Sequence, residues 1–183
     1  DADGAGDLVI GAPLHDTGGP NRGGAYVVSG ATGAVLKKHV GGNDDDQLGY
    51  AVAGPGDVDG DGTPDYALSA PWIDAGPSDV GRVWIHSGDD HSGLRSYTGE
   101  GGSNFFGGAL AAAGDVNGDG VPDLVAGAVG FDLAFPLLDV GRGYVLSGAA
   151  SNSIVFSRTG TFPNGGLGFS VAGGFDADAD GVP

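Results

Sequence analysis

Two nine-residue stretches, DVDGDGTPD (57–65) and DVNGDGVPD (115–123), set acidic or amide side chains at positions one, three, five and nine. A hard cation such as Ca²⁺ takes about six to eight oxygens at roughly 2.3–2.6 Å, and a tightly curved loop that turns alternate side chains inward supplies them. In the first stretch the side-chain candidates are Asp57, Asp59, Asp61 and Asp65, with Thr63 lending its backbone carbonyl. In the second they are Asp115, Asn117, Asp119 and Asp123, with the carbonyl of Val121. Gly62 and Gly120 follow the third candidate ligand, where the loop must turn sharply and a Cβ would be costly.

Two further copies are incomplete. DADGAGD (1–7) retains Asp1, Asp3 and Asp7 with the Ala5 carbonyl, and DADADGVP (176–183) retains Asp176, Asp178 and Asp180 with Val182. The expectation is two complete and two partial Ca²⁺ sites. An EF-hand would need Glu at loop position twelve, where this chain has Leu68 and Ala126. A dockerin-like loop would open into a helix, whereas these lead into strand-like segments. The bland alternative is an Asp/Gly turn without metal, since both residues are ordinary in turns. Four unneutralised carboxylates within nine residues would repel one another, which favours a cation.

Composition fits that chemistry. The chain has 183 residues, no Cys, and a formal charge of −17 from 24 acidic and 7 basic residues. Thiolate sites and disulfides are therefore excluded, and the charge argues against nucleic acid or an anionic membrane as partner. No stretch approaches the roughly 18 apolar residues that span a bilayer, and no basic-plus-apolar leader opens the sequence. Only Glu100 is glutamate, and 13 of the 23 Asp fall in the four loops, so much of the acidity is local.

The elements that position these loops recur with them. Ahead of three loops lie LGYAVAGPG (48–56), FFGGALAAAG (105–114) and LGFSVAGGF (167–175). Behind them come strand-like runs ending in IGAP, LSAP and AGAV, then GGAYVVSG (23–30), GRVWIHSG (81–88) and GRGYVLSG (141–148). A fourth, weaker segment follows at 35–39, 94–98 and 154–158. The loop-to-loop spacing is 58 residues and then 61, room for four short strands per unit. Forty glycines leave no window of helical periodicity. Tandem four-stranded units without helices predict an all-β chain of β-propeller blades. A Ca²⁺-binding parallel β-helix is the alternative, although its repeats are near nine residues.

The order of LGYAVAG or FFGGALAA, acidic loop, and IGAP or LSAP resembles the FG-GAP repeat of integrin α-subunit propellers and of many secreted bacterial proteins. The resemblance covers essentially the whole chain. It departs at Leu48-Gly49, where FG is expected, and at Gly127-Ala128-Val129, where GAP is expected. It implies that the FG strand is innermost in each blade, that the calcium loop joins it to the second strand, and that seven blades usually close the ring. The repeats would then run over about 1–47, lacking a first strand, 48–105, 106–166, and a partial 167–183. Three blades cannot close a ring of four to eight, so further blades are expected from a longer chain or another subunit.

Nothing outside the loops reads as an active site. His15, His39, His86 and His91 fall at unrelated repeat positions and read as exposed or strand histidines. The recurring pairs Asp79/Arg82 and Asp139/Arg142 suggest a repeated loop salt bridge. By the resemblance, ligands meet the loops on the face opposite calcium, here 15–22, 72–80 and 130–140. The last is unusually apolar, with Phe131, Leu133, Phe135, Leu137 and Leu138, and either covers a neighbouring blade or faces a partner. The expected function is a secreted or cell-surface module binding a protein or glycan ligand, with calcium structural and catalysis absent. The alternatives are a propeller belonging to a secreted enzyme, and a purely structural repeat.

Overall fold

The structure, a computed structural model, describes residues 3–76, 78–133, 136, 138–149 and 152–175. Asp1, Asp176, Asp178, Asp180 and Val182 of the partial loops, and Phe135 and Leu137 of the apolar loop, lie outside the described residues.

Among the described residues, eleven strands form three antiparallel sheets in which every neighbour is consecutive in sequence. The first sheet contains β1 (Leu8–Ala12), β2 (Gly24–Val28) and β3 (Val35–Val40). The second runs β4 (Val52–Gly56), β5 (Asp65–Ala70), β6 (Arg82–His86) and β7 (Gly93–Thr98). The third runs β8 (Phe106–Gly114), β9 (Asp123–Ala128), β10 (Arg142–Leu146) and β11 (Ile154–Thr159). No helix occurs among the described residues. These are β-propeller blades, with up-and-down strands joined in sequence order.

The core lies between the sheets. β5 is buried along its whole length and serves both neighbours, because alternate side chains leave a strand on opposite faces. Ala67 packs with Ile85, Phe106, Leu124 and Tyr144 between the second and third blades. Tyr66, Leu68 and Ala70 pack with Ala25, Val27 and Leu48 between the first and second.

Glycine sets how closely blades approach. A Cβ on Gly49 (φ +81) would lie 2.2 Å from the Gly24 carbonyl oxygen and 3.2 Å from Gly11 Cα. Gly168 (φ +90) meets Gly127 in the same way, with Cα at 3.0 Å. The small residue of each FG pair thus seats on the GAP strand of the blade before it.

Candidate metal centre

Each of the two complete acidic loops joins the first strand of its blade, β4 or β8, to the second, β5 or β9. In 57–65 the short loop is wound by its own carboxylates. Asp57 accepts from the N–H of Gly60 (2.7 Å) and of Gly62 (2.9 Å). Asp59 accepts from Asp61 N–H at 3.1 Å, and Asp61 from Thr63 N–H at 2.6 Å. The winding brings carboxylate oxygens of Asp57, Asp59 and Asp61 within 4.8 Å of one another.

The loop 115–123 repeats the pattern. Asp115 accepts from the N–H of Asp119 (3.0 Å) and Gly120 (2.8 Å). Asn117 accepts from Asp119 at 2.8 Å, and Asp119 from Val121 at 2.9 Å. In the partial first loop Asp3 accepts from Ala5 N–H at 2.8 Å.

The ninth-position carboxylate does something the spacing alone did not reveal. Asp65 is buried; one oxygen accepts from Val58 N–H (2.7 Å) and the other from Gly88 N–H (2.9 Å). Asp123 does the same with Val116 and Gly148, each at 3.0 Å, and Asp7 accepts from Gly30 N–H at 3.1 Å. Gly30, Gly88 and Gly148 are the glycines of the three Ser-Gly turns. The carboxylate therefore ties the acidic loop to the turn after the third strand. Glycine is required there, because a Cβ on Gly88 would sit 2.1 Å from the Pro64 carbonyl oxygen, and one on Gly148 2.0 Å from that of Pro122.

Burial pushes the Asp65 and Asp123 carboxyls up from the ordinary range, and the neighbouring Asp59/Asp61 and Asp115/Asp119 charges push further. Their backbone N–H partners pull the other way. The buried Asp65 thus lies beside the exposed Asp59 and Asp61 and the half-buried Asp57, and the buried Asp123 beside the exposed Asp119 and the half-buried Asp115. The donor set is hard oxygen throughout, carries several negative charges, and retains lone pairs on every ligand candidate. It fits Ca²⁺.

At the opposite ends of β1, β5 and β9 lie 15–22, 72–80 and 130–140, since each of these strands leaves an acidic loop and runs away from it. The expected salt bridges within Asp79/Arg82 and Asp139/Arg142 are not what fixes these residues. Arg82 Nε donates to Thr98 (3.1 Å), and Arg142 donates to Thr159 (2.6 Å) and pairs with Glu100 (2.7 Å). Asn21, Asp79 and Asp139 recur because all three adopt positive φ, between +48 and +52, which Asn and Asp tolerate best among non-glycine residues. Their N–H groups are capped by Asp16, Asp74 and Asp132.

Within 130–140, Phe131 and Val140 are buried against the core and the Arg142 guanidinium lies 3.6 Å over the Phe131 ring. Leu133 and Leu138 stay exposed.

His39 and His86 are strand histidines as expected, but the grouping they enter was not foreseen. His39, His86 and His91 converge on Tyr66, although they come from a strand, another strand and a turn.

Residues 106–146 match the FG-GAP repeat family. Integrin alpha-5 of Xenopus laevis is 33% identical over 147 residues, covering 72% of this chain and 14% of the integrin. Human integrin alpha-6 is 33% identical over 134 residues, covering 69% and 11%. Drosophila melanogaster integrin alpha-PS2 is 32% identical over 158 residues, covering 74% and 11%. The chain thus spans only about a tenth to a seventh of these relatives. No helix among the described residues is long and apolar enough to cross a membrane. With the FG-GAP match at 106–146 and integrin α relatives aligned over about seven-tenths of its length, the chain is an FG-GAP repeat protein of the integrin-α type.

Proposed function

We propose that this chain is a calcium-stabilised segment of an extracellular adhesion propeller, whose loops at 15–22, 72–80 and 130–140 meet a protein or glycan ligand. The observation that carries the calcium reading is the convergence of Asp57, Asp59 and Asp61 beside a buried Asp65 that pins the loop to the next turn. Asp57, Asp59, Asp61, Asp65 and the Thr63 carbonyl would hold one ion, and Asp115, Asn117, Asp119, Asp123 and the Val121 carbonyl another. In the first loop Asp3, Asp7 and the Ala5 carbonyl offer a weaker set. Bound there, calcium neutralises the clustered carboxylates and clamps the first two strands of a blade to the turn after its third. It is structural in this reading, and no residue nearby needs it for chemistry.

The location follows from affinity. Extracellular calcium modules bind at roughly 10⁻⁴–10⁻³ M, so such sites fill outside cells and empty in a low-calcium cytosol. The relatives named integrins support an adhesive role on the cell surface or in secreted form. The outward faces of the first and third blades leave Leu8, Ile10, Ile154 and Phe156 about half exposed, which supports further blades packing on both sides in a ring of about seven.

The test is the melting temperature of the full-length protein in millimolar calcium and in chelator. A rise in calcium that Asp59→Ala and Asp119→Ala each reduce supports the reading; identical melting in both conditions overturns it.

A further inference from the structure

The contact between the first and second blades contains a group of side chains that the third blade lacks. His39 on β3 places Nε2 2.8 Å from the Tyr66 hydroxyl on β5, and the same hydroxyl lies 3.3 Å from His91 Nδ1 in the turn after β6. His86 on β6 stacks on Tyr66 (centroids 5.5 Å, planes 15° apart) and lies 4.5 Å from the His39 ring. His86 Nδ1 is buried with no hydrogen-bond partner. At the matching register between the second and third blades the residues are Tyr97, Leu124 and Leu146, none of which titrates near neutrality. There Tyr97 donates its hydroxyl hydrogen to the Ser147 carbonyl.

One hydroxyl bridging two imidazoles works while the rings are neutral, since it can donate to one nitrogen and accept from the other. A single added proton is tolerated. With His39 and His91 both protonated, the tyrosine proton loses its acceptor and two cations flank it, with His86 4.5 Å from His39. Burial also opposes protonation of His86, while the backbone carbonyls of His91 and Ser92 favour it. The neighbouring charges set the balance. Lys37 of β3 adds positive charge near all three rings, while Asp89 and Asp90, in the turn, oppose it at His91. Asp65 adjoins Tyr66 from β5, and Asp46 lines the roughly 260 Å³ cleft that His39 and His86 share with Trp84 and Leu68.

We propose that His39, His86, His91 and Tyr66 form a proton-sensitive latch that holds the first blade against the second near neutral pH and loosens it on acidification. The latch is local: the seam between the second and third blades has no counterpart and stays closed over the same range. Burial, reinforced by the neighbouring His86 and Lys37 charges, brings His39 down to about 4, and burial lowers His86 and His91 as well, as expected of rings kept neutral in the closed seam.

The test is hydrogen–deuterium exchange of the full-length protein at pH 7 and pH 5, in saturating calcium and corrected for intrinsic rates. Peptides covering β3 and β6 should lose protection about ten-fold at pH 5, while β9 and β10 change little. His39→Gln with His86→Gln should abolish the difference. Equal loss at both seams, or a pH effect unchanged in the double variant, overturns the latch. Should that variant fold poorly, an NMR titration of the wild-type imidazole Cε1–H signals decides: midpoints for His39 and His86 clearly below 6 support it, and midpoints at 6.5 or above overturn it.

Discussion

The acidic loops and the histidine cluster both gather ionisable groups, and they handle charge in opposite ways. Asp57, Asp59 and Asp61 sit at the surface with their oxygens crowded together, a state that calls for a countercharge. His39, His86 and His91 sit in a seam between blades, where burial favours the neutral rings and the Tyr66 hydroxyl bonds to His39 and His91. On the proposed readings, one arrangement gains strength from an ion bound from solution, the other from excluding a proton. Within each complete loop the two strategies meet, because the ninth-position carboxylate is as buried as the core.

That last residue yields the largest expected effect. Asp123→Ala strips partners from the half-buried Val116 N–H and the buried Gly148 N–H, the latter alone costing about 1–3 kcal/mol. The loss should persist in chelator, as measured by denaturant unfolding of the full-length protein. Asp119→Ala removes a rim carboxylate instead, and should forfeit only the calcium-dependent increment. That is about 1.4 kcal/mol when calcium is ten-fold above the dissociation constant, and nearly nothing in chelator. If both variants respond to chelator alike, the distinction between anchor and rim fails.

The histidine seam should show its own sign. Unfolded His39 binds a proton near 6.5, whereas in the folded chain it does so only at about 4. Between these values the unfolded state takes up more protons, so the stability contributed by His39 is full above 6.5 and falls as pH drops towards 4. Comparing wild type with His39→Gln by thermal melting across pH 4.5–7.5 isolates that slope, which should be shallower in the variant. The smallest effect is expected at the other seam. Tyr97→Phe removes one hydroxyl donor to the Ser147 carbonyl, costs about 0.5–1.5 kcal/mol, and should do so equally at pH 5 and pH 7.

Much of this was legible in the chain because the repeat writes it three times. Strands show as short apolar runs punctuated by glycine, and the loops by Asp at alternate positions, signals that depend only on neighbours within about ten residues. What the spacing did not show lies across longer separations. Asp65 meets Gly88, 23 residues on, only once β5 and β6 pair and the Ser-Gly turn folds under the loop. The recurrence of Asp79 and Asp139 reflects a left-handed backbone, which looks in sequence like one half of a salt bridge. The histidines escaped because they occupy three different places in the repeat. One clue was present, since Tyr66 and His86 become directly paired once the hairpin register is known, but His39 joins them only through packing between blades.

On the proposed reading, 57–65 and 115–123 each hold a calcium ion. Native mass spectrometry of the full-length protein, counting bound calcium in wild type, Asp59→Ala and Asp119→Ala, tests it most directly. Each single variant should carry one ion fewer than wild type at limiting calcium, and the double variant two fewer. An identical ion count in all four proteins would contradict it.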